Sequence, residues 1–410
     1  MQADIAIVVV AFNRPLSLKR LLESLNAANF DSYTGVHLII SIDFSGKSDC
    51  TNIAESFEWE YGTKTVIKRS ENLGLKKHIF KCGDLTEKHD AIIMLEDDLF
   101  VSPFFYKFAQ QAYFFYKDEE IIAGVSLYNN VFNEVALCPF EPVHDGFDNY
   151  FMQVPCSWGQ LWTIQQWNKF RDYINELDSF DEDGSLPANV LLWPTASSWK
   201  KIFYKYLVDK GKYFVYPRVS LTTNFGEAGE HVIEKQLVFQ SPLLLKQKTF
   251  QFSLFKNSFS IYDPYFELTG ECYNKITGSD LDVSFDLNNT KQLSKVKSKY
   301  LISGKKCKRQ EKQYAVNLYP YENNILFNRA ASDGEYYFSL GKTADFFDTH
   351  LFMRRSIDIR RLFMNIDFVK NDVFEEMKLT KEYRVGFKIL SPIFLVRRII
   401  RFIIKKFRYK

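Results

Sequence analysis

Cysteine, histidine, glycine and proline are all scarce in this 410-residue chain, and each scarcity removes a class of protein. The six cysteines stand singly at 50, 82, 138, 156, 272 and 307. With no CxxC pair, neither a zinc cluster nor a disulfide-built scaffold is expected, and a reduced cytosolic setting is the simplest reading. Six histidines without an HExxH argue against a zincin-type site. With 18 glycines and 12 prolines there is no collagen-like or low-complexity tract. No run of about 20 apolar residues is present to span a bilayer. The apolar start Ile5-Ala6-Ile7-Val8-Val9-Val10 is too short for a signal peptide, lacks a basic flank and stops at Asn13-Arg14-Pro15.

What is present is a core. Hydrophobic residues make up 46% of the chain and aromatics 17%, more than a disordered chain carries. The length exceeds one domain of about 150 residues. The net charge of +3 is unevenly spread. Residues 381–410 hold ten Lys and Arg against the single acid Glu382, so the rest of the chain is net acidic.

Hydrophobic periodicity predicts strands over residues 3–11, 36–42, 65–68, 91–95, 121–126 and 214–216. Between them it predicts helices from Pro15, over 50–61, over 76–85 and from Pro103 to Phe115, then over 158–173 and 197–210, the last capped by Gly211. Residues 133–157 read as irregular. Alternating strands and helices imply an α/β domain with a mostly parallel sheet, and ligands bind such sheets at the carboxyl ends of the strands. Asn13 and Arg14, Asp43, Arg69 and the triplet Glu96-Asp97-Asp98 each follow a predicted strand.

The triplet carries the chemistry. Three like charges at the end of the buried run 91–95 resist burial and call for a positive partner. Hard Mg²⁺ or Mn²⁺ suits such oxygens, because these ions take one or two carboxylates and leave places for phosphate oxygens. The competing reading is an acidic cluster at the start of the next helix. Arg14 and Arg69 match phosphate oxygens bidentately or are solvated surface groups.

Residues 1–240 resemble the GT-A fold glycosyltransferases, particularly the N-acetylglucosaminyltransferase I type and related bacterial enzymes. The resemblance rests on Ala11-Phe12-Asn13-Arg14-Pro15, Ser41-Ile42-Asp43, Glu71-Asn72-Leu73-Gly74-Leu75-Lys76, the stretch from Met94 to Pro103, Ser157-Trp158-Gly159 and Asn224-Phe225-Gly226. It implies a Rossmann-like sheet flanked by helices over 1–245. An α+β appendage over 246–380 and a basic amphipathic helix over 381–410 would follow. It further implies that Asn13, Arg14 and Asp43 hold the nucleotide base and ribose, with Arg69 beside them. Asn72, Gly74 and Lys76 would lie along the donor, and Glu96 and Asp97 would contact ribose and sugar. Asp98 would bind Mn²⁺ or Mg²⁺, joined by His231 unless that residue is a surface histidine. The donor would be a nucleotide-diphospho-sugar, a UDP-sugar foremost.

One part of the pattern is missing. An inverting transferase needs a base to take the acceptor proton, and such enzymes tend to carry an Asp just before a Trp in the helix preceding the Asn-Phe-Gly loop. Here that position reads Ser197-Ser198-Trp199. Asp181, Asp183, Glu227 and Glu230 remain as base candidates, each equally readable as a solvated loop acid. Trp158 reads as a site residue beside Gly159, while Trp162 and Trp167 read as core.

After Pro392 the tail interleaves Ile and Phe with Arg and Lys on a helical period, a pattern for an anionic membrane surface. Its wide apolar face argues against nucleic acid; docking onto its own core is the alternative. The expectation is a metal-dependent transferase, inverting in outcome, that moves a sugar to a hydroxyl of a glycan or lipid-linked glycan. Its setting would be bacterial lipopolysaccharide, O-antigen or capsule assembly, on the cytoplasmic face of the membrane. The alternatives are an inactive glycan-binding or scaffold protein with the same fold, and a sugar-phosphate nucleotidyltransferase. The latter would need glycines after the first strand, which AFNRPLSLKR lacks.

Overall fold

The computed structural model describes residues 2–177, 180, 185–227, 237–333, 336–348, 377, 378, 380 and 383–385. Residues 1–348 form one compact unit and 349–410 a second. Asp181, Asp183, Glu230, His231 and most of the basic tail therefore lie outside the described residues. Among the described residues no helix is long and apolar enough to cross a membrane.

The chain opens with β1 (Ile5–Ala11), α1 (Pro15–Asn26), β2 (Leu38–Ile42), α2 (Asp49–Ser56), β3 (Lys64–Lys68), α3 (Gly74–Gly83) and β4 (Ala91–Glu96). These strands pair in parallel as β3-β2-β1-β4. β1 and β2 are buried along their whole length, which explains their unbroken Ile, Val and Leu. α2 is shorter than its hydrophobic pattern predicts. The backbone turns extended at Phe57, and Trp59 donates its indole N–H to the Val36 carbonyl at 2.8 Å.

Next come β5 (Leu99–Val101), α4 (Phe105–Tyr116), β6 (Ile122–Ser126), β7 (Phe132–Asn133), β8 (Cys138–Pro139), β9 (Asn149–Met152), β10 (Gln160–Thr163) and α5 (Ile164–Glu176). Two segments here differ from the pattern expected of them. The stretch 133–157 is not wholly irregular, since β9 enters the main sheet. The predicted helix over 158–173 begins later, because Gln160–Thr163 form a fully buried strand antiparallel to both β4 and β6. Thr163 is the reason for the switch. Its side chain accepts from the Gln166 N–H while Gln166 answers the Thr163 N–H, a capping box that starts α5.

The unit continues with α6 (Ala188–Leu191), α7 (Trp199–Asp209), β11 (Tyr213–Pro217), β12 (Thr222–Asn224), β13 (Ile261–Tyr262) and α8 (Gly270–Thr277). It ends with β14 (Val283–Asp286), β15 (Tyr300–Ser303), β16 (Gln310–Tyr314), α9 (Glu322–Leu326) and β17 (Phe338–Lys342). Among the described residues the main sheet has nine strands in the order β13-β9-β11-β6-β10-β4-β1-β2-β3. β6 and β11, and β9 and β13, also pair in parallel, so the sheet is mixed with a parallel majority. Its edge strand β13 lies beyond residue 245. β14, β15, β17 and β16 make a second, four-stranded sheet.

Aromatic packing fixes the helices on the sheet. Trp162 of β10 lies against Trp167 of α5 at 4.9 Å and stacks on Phe203 of α7 at 5.6 Å. Trp162, Trp167 and Trp199 are all buried. A buried charge network joins the two sheets. Asp263, just after β13, pairs with Lys291, and Asp286 at the end of β14 pairs with Lys305. Glu267, fully buried among them, accepts from Asn288 N–H at 2.8 Å, and burial together with Asp286 holds its carboxyl well above the usual range.

Gly83 measures how tightly α3 meets α5. A Cβ there would sit 2.0 Å from Cζ2 of Trp167, whose indole is pinned to Asp84 Oδ1 at 2.9 Å. Gly83→Val is expected to cost roughly 3 kcal/mol through overpacking, read as a lower urea midpoint. An unchanged midpoint would show that the indole does not occupy this space.

Candidate functional site

The site lies along the carboxyl ends of β1 to β4. β1 and β4 pair in register, with Val10 beside Glu96. The residues just beyond them, Asn13, Arg14, Asp97 and Asp98, therefore come together. Arg14 is the positive partner the triplet requires. Its Nη2 bonds Asp97 Oδ1, and its Nη1 meets Asp98 Oδ2 at 3.0 Å. The Phe12 N–H also reaches Asp97 Oδ2, at 3.4 Å.

The electrostatics follow from burial. Burial works against the Arg14 charge, but Asp98 and Asp97 outweigh it and hold the guanidinium above its ordinary value. Burial pushes Asp97 up to about 6, with Arg14 opposing and Asp98 reinforcing. Glu96 is held well above the carboxylate range by burial, then by Asp98 and Asp97, while Arg14 and Lys200 pull it down.

Asp43 and Asn72 build the start of α3. Asp43 is buried and accepts from the N–H groups of Leu73 at 2.9 Å and Gly74 at 3.0 Å. Asn72 Oδ1 also accepts from Gly74 N–H, at 2.9 Å. Gly74 has φ +71°, a conformation costly for other residues. Lys76, expected along the donor, donates to the Thr195 carbonyl at 3.1 Å and so ties α3 to the segment before α7. Arg69 donates to Ser41 Oγ at 3.2 Å, and Ser41 Oγ also meets Nε2 of the buried His78 at 2.8 Å. Burial holds His78 below its ordinary value and hence uncharged at neutral pH.

The far wall comes from the turn before β10 and from β12. Gly159 has φ +95°, and a Cβ there would meet Thr222 Cγ2 at 2.8 Å. Thr222 Oγ1 bonds the Trp158 carbonyl. β12 pairs antiparallel with β5, placing Asn224 opposite Leu99, next to Asp98. Buried Asp98 Oδ1 and Asn224 Oδ1 both lack a protein partner.

Glu227 does not suit the role of base. Arg20 grips both its oxygens at 2.8 Å, Ser17 Oγ donates at 2.8 Å, and these bonds hold its carboxyl down at about 2. The Arg20 guanidinium also lies 3.5 Å from the centre of the Phe225 ring. Glu227 thus fastens the Asn224-Phe225-Gly226 loop to α1. Asp183 and His231 lie outside the described residues.

No local motif marks Ser17, Arg20, His78 or Lys200; each is a single residue on a helix, brought to the site by tertiary packing.

The donor set fits a hard cation. Asp98 Oδ1 and Asn224 Oδ1 are oxygen donors without a protein partner, carried by neighbouring segments. Among the described residues no group of three His, Cys, Asp or Glu could hold a metal alone. An ion here would complete its shell from phosphate oxygens and water.

Arg14→Ala is expected to cost roughly 3 kcal/mol at pH 7.5, because it strands buried carboxylates. The loss should shrink at pH 5.5. Asp97 already holds its proton up to about 6 and would hold it higher without the guanidinium, so acid neutralises the stranded charge. Urea titrations of both proteins at both pH values test this, and an equal or larger loss at pH 5.5 would contradict it.

Residues 6–136 match the model of glycosyl transferase family 2. No curated protein sequence matches the chain. Among solved structures, S. aureus TarS 1-349 in complex with UDP-GlcNAc is 14% identical over 56% of this chain and 60% of that one, with a TM-score of 0.36. The mannosyltransferase PcManGT from Pyrobaculum calidifontis, in complex with GDP-Man and Mn²⁺, is 8% identical over 53% and 58%, with a TM-score of 0.31. The chain spans under two thirds of the length of either. The family match encloses β1 to β4, Arg14, Asp43 and the acidic triplet, and the chain carries a glycosyltransferase domain of the GT-A fold.

Proposed function

We propose that the protein transfers a sugar from a nucleotide-diphospho-sugar to a glycan hydroxyl, with a divalent cation held at Asp98. The observation that carries this reading is the Arg14–Asp97–Asp98 cluster at the joined ends of β1 and β4, with one buried Asp98 oxygen left without a partner. Arginine beside carboxylates suits a diphosphate, since the guanidinium binds phosphate oxygens and the carboxylate binds the accompanying ion. Mn²⁺ or Mg²⁺ at this place would supply Lewis acidity to the leaving diphosphate.

The chain's own residues do the rest. Asp43 and Asn72 hold the start of α3 in place beside the nucleotide, Asn13 and Arg69 border the same edge, and Glu96 faces the sugar. The ordered loop Asn224-Phe225-Gly226, fastened through Glu227 to Arg20, closes the other side. A UDP-sugar donor, a lipid-linked acceptor and a role in bacterial surface polysaccharide assembly extend the same proposal. The basic tail over 381–410 would bring the enzyme to the cytoplasmic face of an anionic membrane, each basic residue contributing about 1 kcal/mol.

Two experiments test it. UDP-sugars with Mn²⁺ should raise the melting temperature of the wild type and leave Asp98→Ala unmoved; equal stabilisation of both would refute the cation site. Full-length protein should sediment with phosphatidylglycerol vesicles and not with phosphatidylcholine vesicles, and a chain ending at residue 385 should stay in the supernatant.

A further inference from the structure

The missing base leaves a structural question at the start of α7. Ser198 is the N-cap of that helix, and its Oγ accepts from the Lys201 N–H at 3.2 Å. The next residue but one, Lys200, reaches away from the helix. Its Nζ lies 3.5 Å from Glu134 Oε1, 5.5 Å from the centre of the Trp158 ring and 5.4 Å from that of Trp193. Trp158 precedes Gly159, which packs closely against Thr222 and Leu95. Lys200 therefore connects Glu134 to the wall of the site.

Glu134 is firmly presented. It sits in the turn between β7 and β8, where the buried Asn133 accepts from the N–H groups of Val135 at 3.0 Å and Ala136 at 2.8 Å. Its carbonyl accepts from Asn189 of α6 at 3.5 Å. Its side chain is 20% exposed. Glu134 Oε1 takes the lysine, and no described residue bonds Oε2. Among the described residues, the other acids along the edge apart from Glu96 are engaged: Asp97 and Asp98 by Arg14, Asp43 by the start of α3, and Glu227 by Arg20 and Ser17.

On the transferase reading above, we infer that Glu134 is the catalytic base and Lys200 its positioning residue. The acceptor hydroxyl gives its proton to Glu134 Oε2 as its oxygen bonds the anomeric carbon. The bond from that carbon to the diphosphate oxygen breaks, and its electron pair leaves with the nucleoside diphosphate. Attack from the side opposite the diphosphate inverts the anomeric centre. Lys200 holds the carboxylate in place through Oε1. The base thus comes from a turn between two short strands instead of from the helix.

The test uses full-length protein, a panel of nucleotide-diphospho-sugars with Mn²⁺, and water as the acceptor probe. Glu134→Gln should lower the kcat of donor hydrolysis about 100-fold or more, with donor KM and UDP-induced stabilisation unchanged. Lys200→Gln should lower kcat about tenfold with donor KM unchanged, and Lys200→Arg, which keeps the charge beside Glu134 Oε1, should restore most of it. A lysine with a merely structural role would show no such dependence on charge. Should Glu134→Gln fail to fold, the comparison of Lys200→Gln with Lys200→Arg alone decides. Full turnover by folded Glu134→Gln, or a comparable loss confined to Glu96→Gln, would overturn the assignment. Absence of hydrolysis by the wild type with every donor would instead overturn the transferase reading itself.

Discussion

The ion pairing of Arg14 with Asp97 and Asp98 is the constraint around which this end of the molecule is arranged. Two carboxylates at the tip of a buried strand repel each other and lose hydration. A guanidinium placed one strand over pairs with both, and the parallel β1–β4 pairing in the observed register delivers it there. The arrangement conflicts with local burial, which pushes Asp97 up and works against Arg14. Such conflict marks a place where binding, not folding, selects the residues. A diphosphate with its cation offers the same charges a second set of partners.

Much of this was legible in the sequence because it depends on short-range pattern. Largely apolar runs marked β1, β2 and β4, and each was followed within three residues by the polar group that lines the site. The acidic triplet was visible as charge where burial forbids it. What the sequence concealed was tertiary. Gln160–Thr163 read as helix because Trp158, Trp162 and Trp167 repeat at helical spacing, yet sheet pairing on both sides claims that segment as strand. Glu227 read as an available acid because its partner Arg20 lies more than 200 positions earlier. Glu134 carried no signal, standing alone in a stretch that looked irregular.

The second sheet is tied to the first by charge as well as by packing. Lys291 and Lys305 face Asp263, Glu267 and Asp286, so acids outnumber cations in a buried place. A proton retained on Glu267 balances the count. The joint between the sheets is thereby selective about geometry: sliding one sheet along the other would strand a buried charge, a larger cost than loss of apolar contact alone.

Ser198 closes the end of α7 with a hydroxyl, and aspartate serves as well in that position. Folding is therefore indifferent between the two residues, and nothing in the stability of the helix holds serine in place. With a neutral cap and no acid in the first turn, α7 offers the Lys200 ammonium no carboxylate of its own. The charge is met from a different element instead, by Glu134 in the turn between β7 and β8.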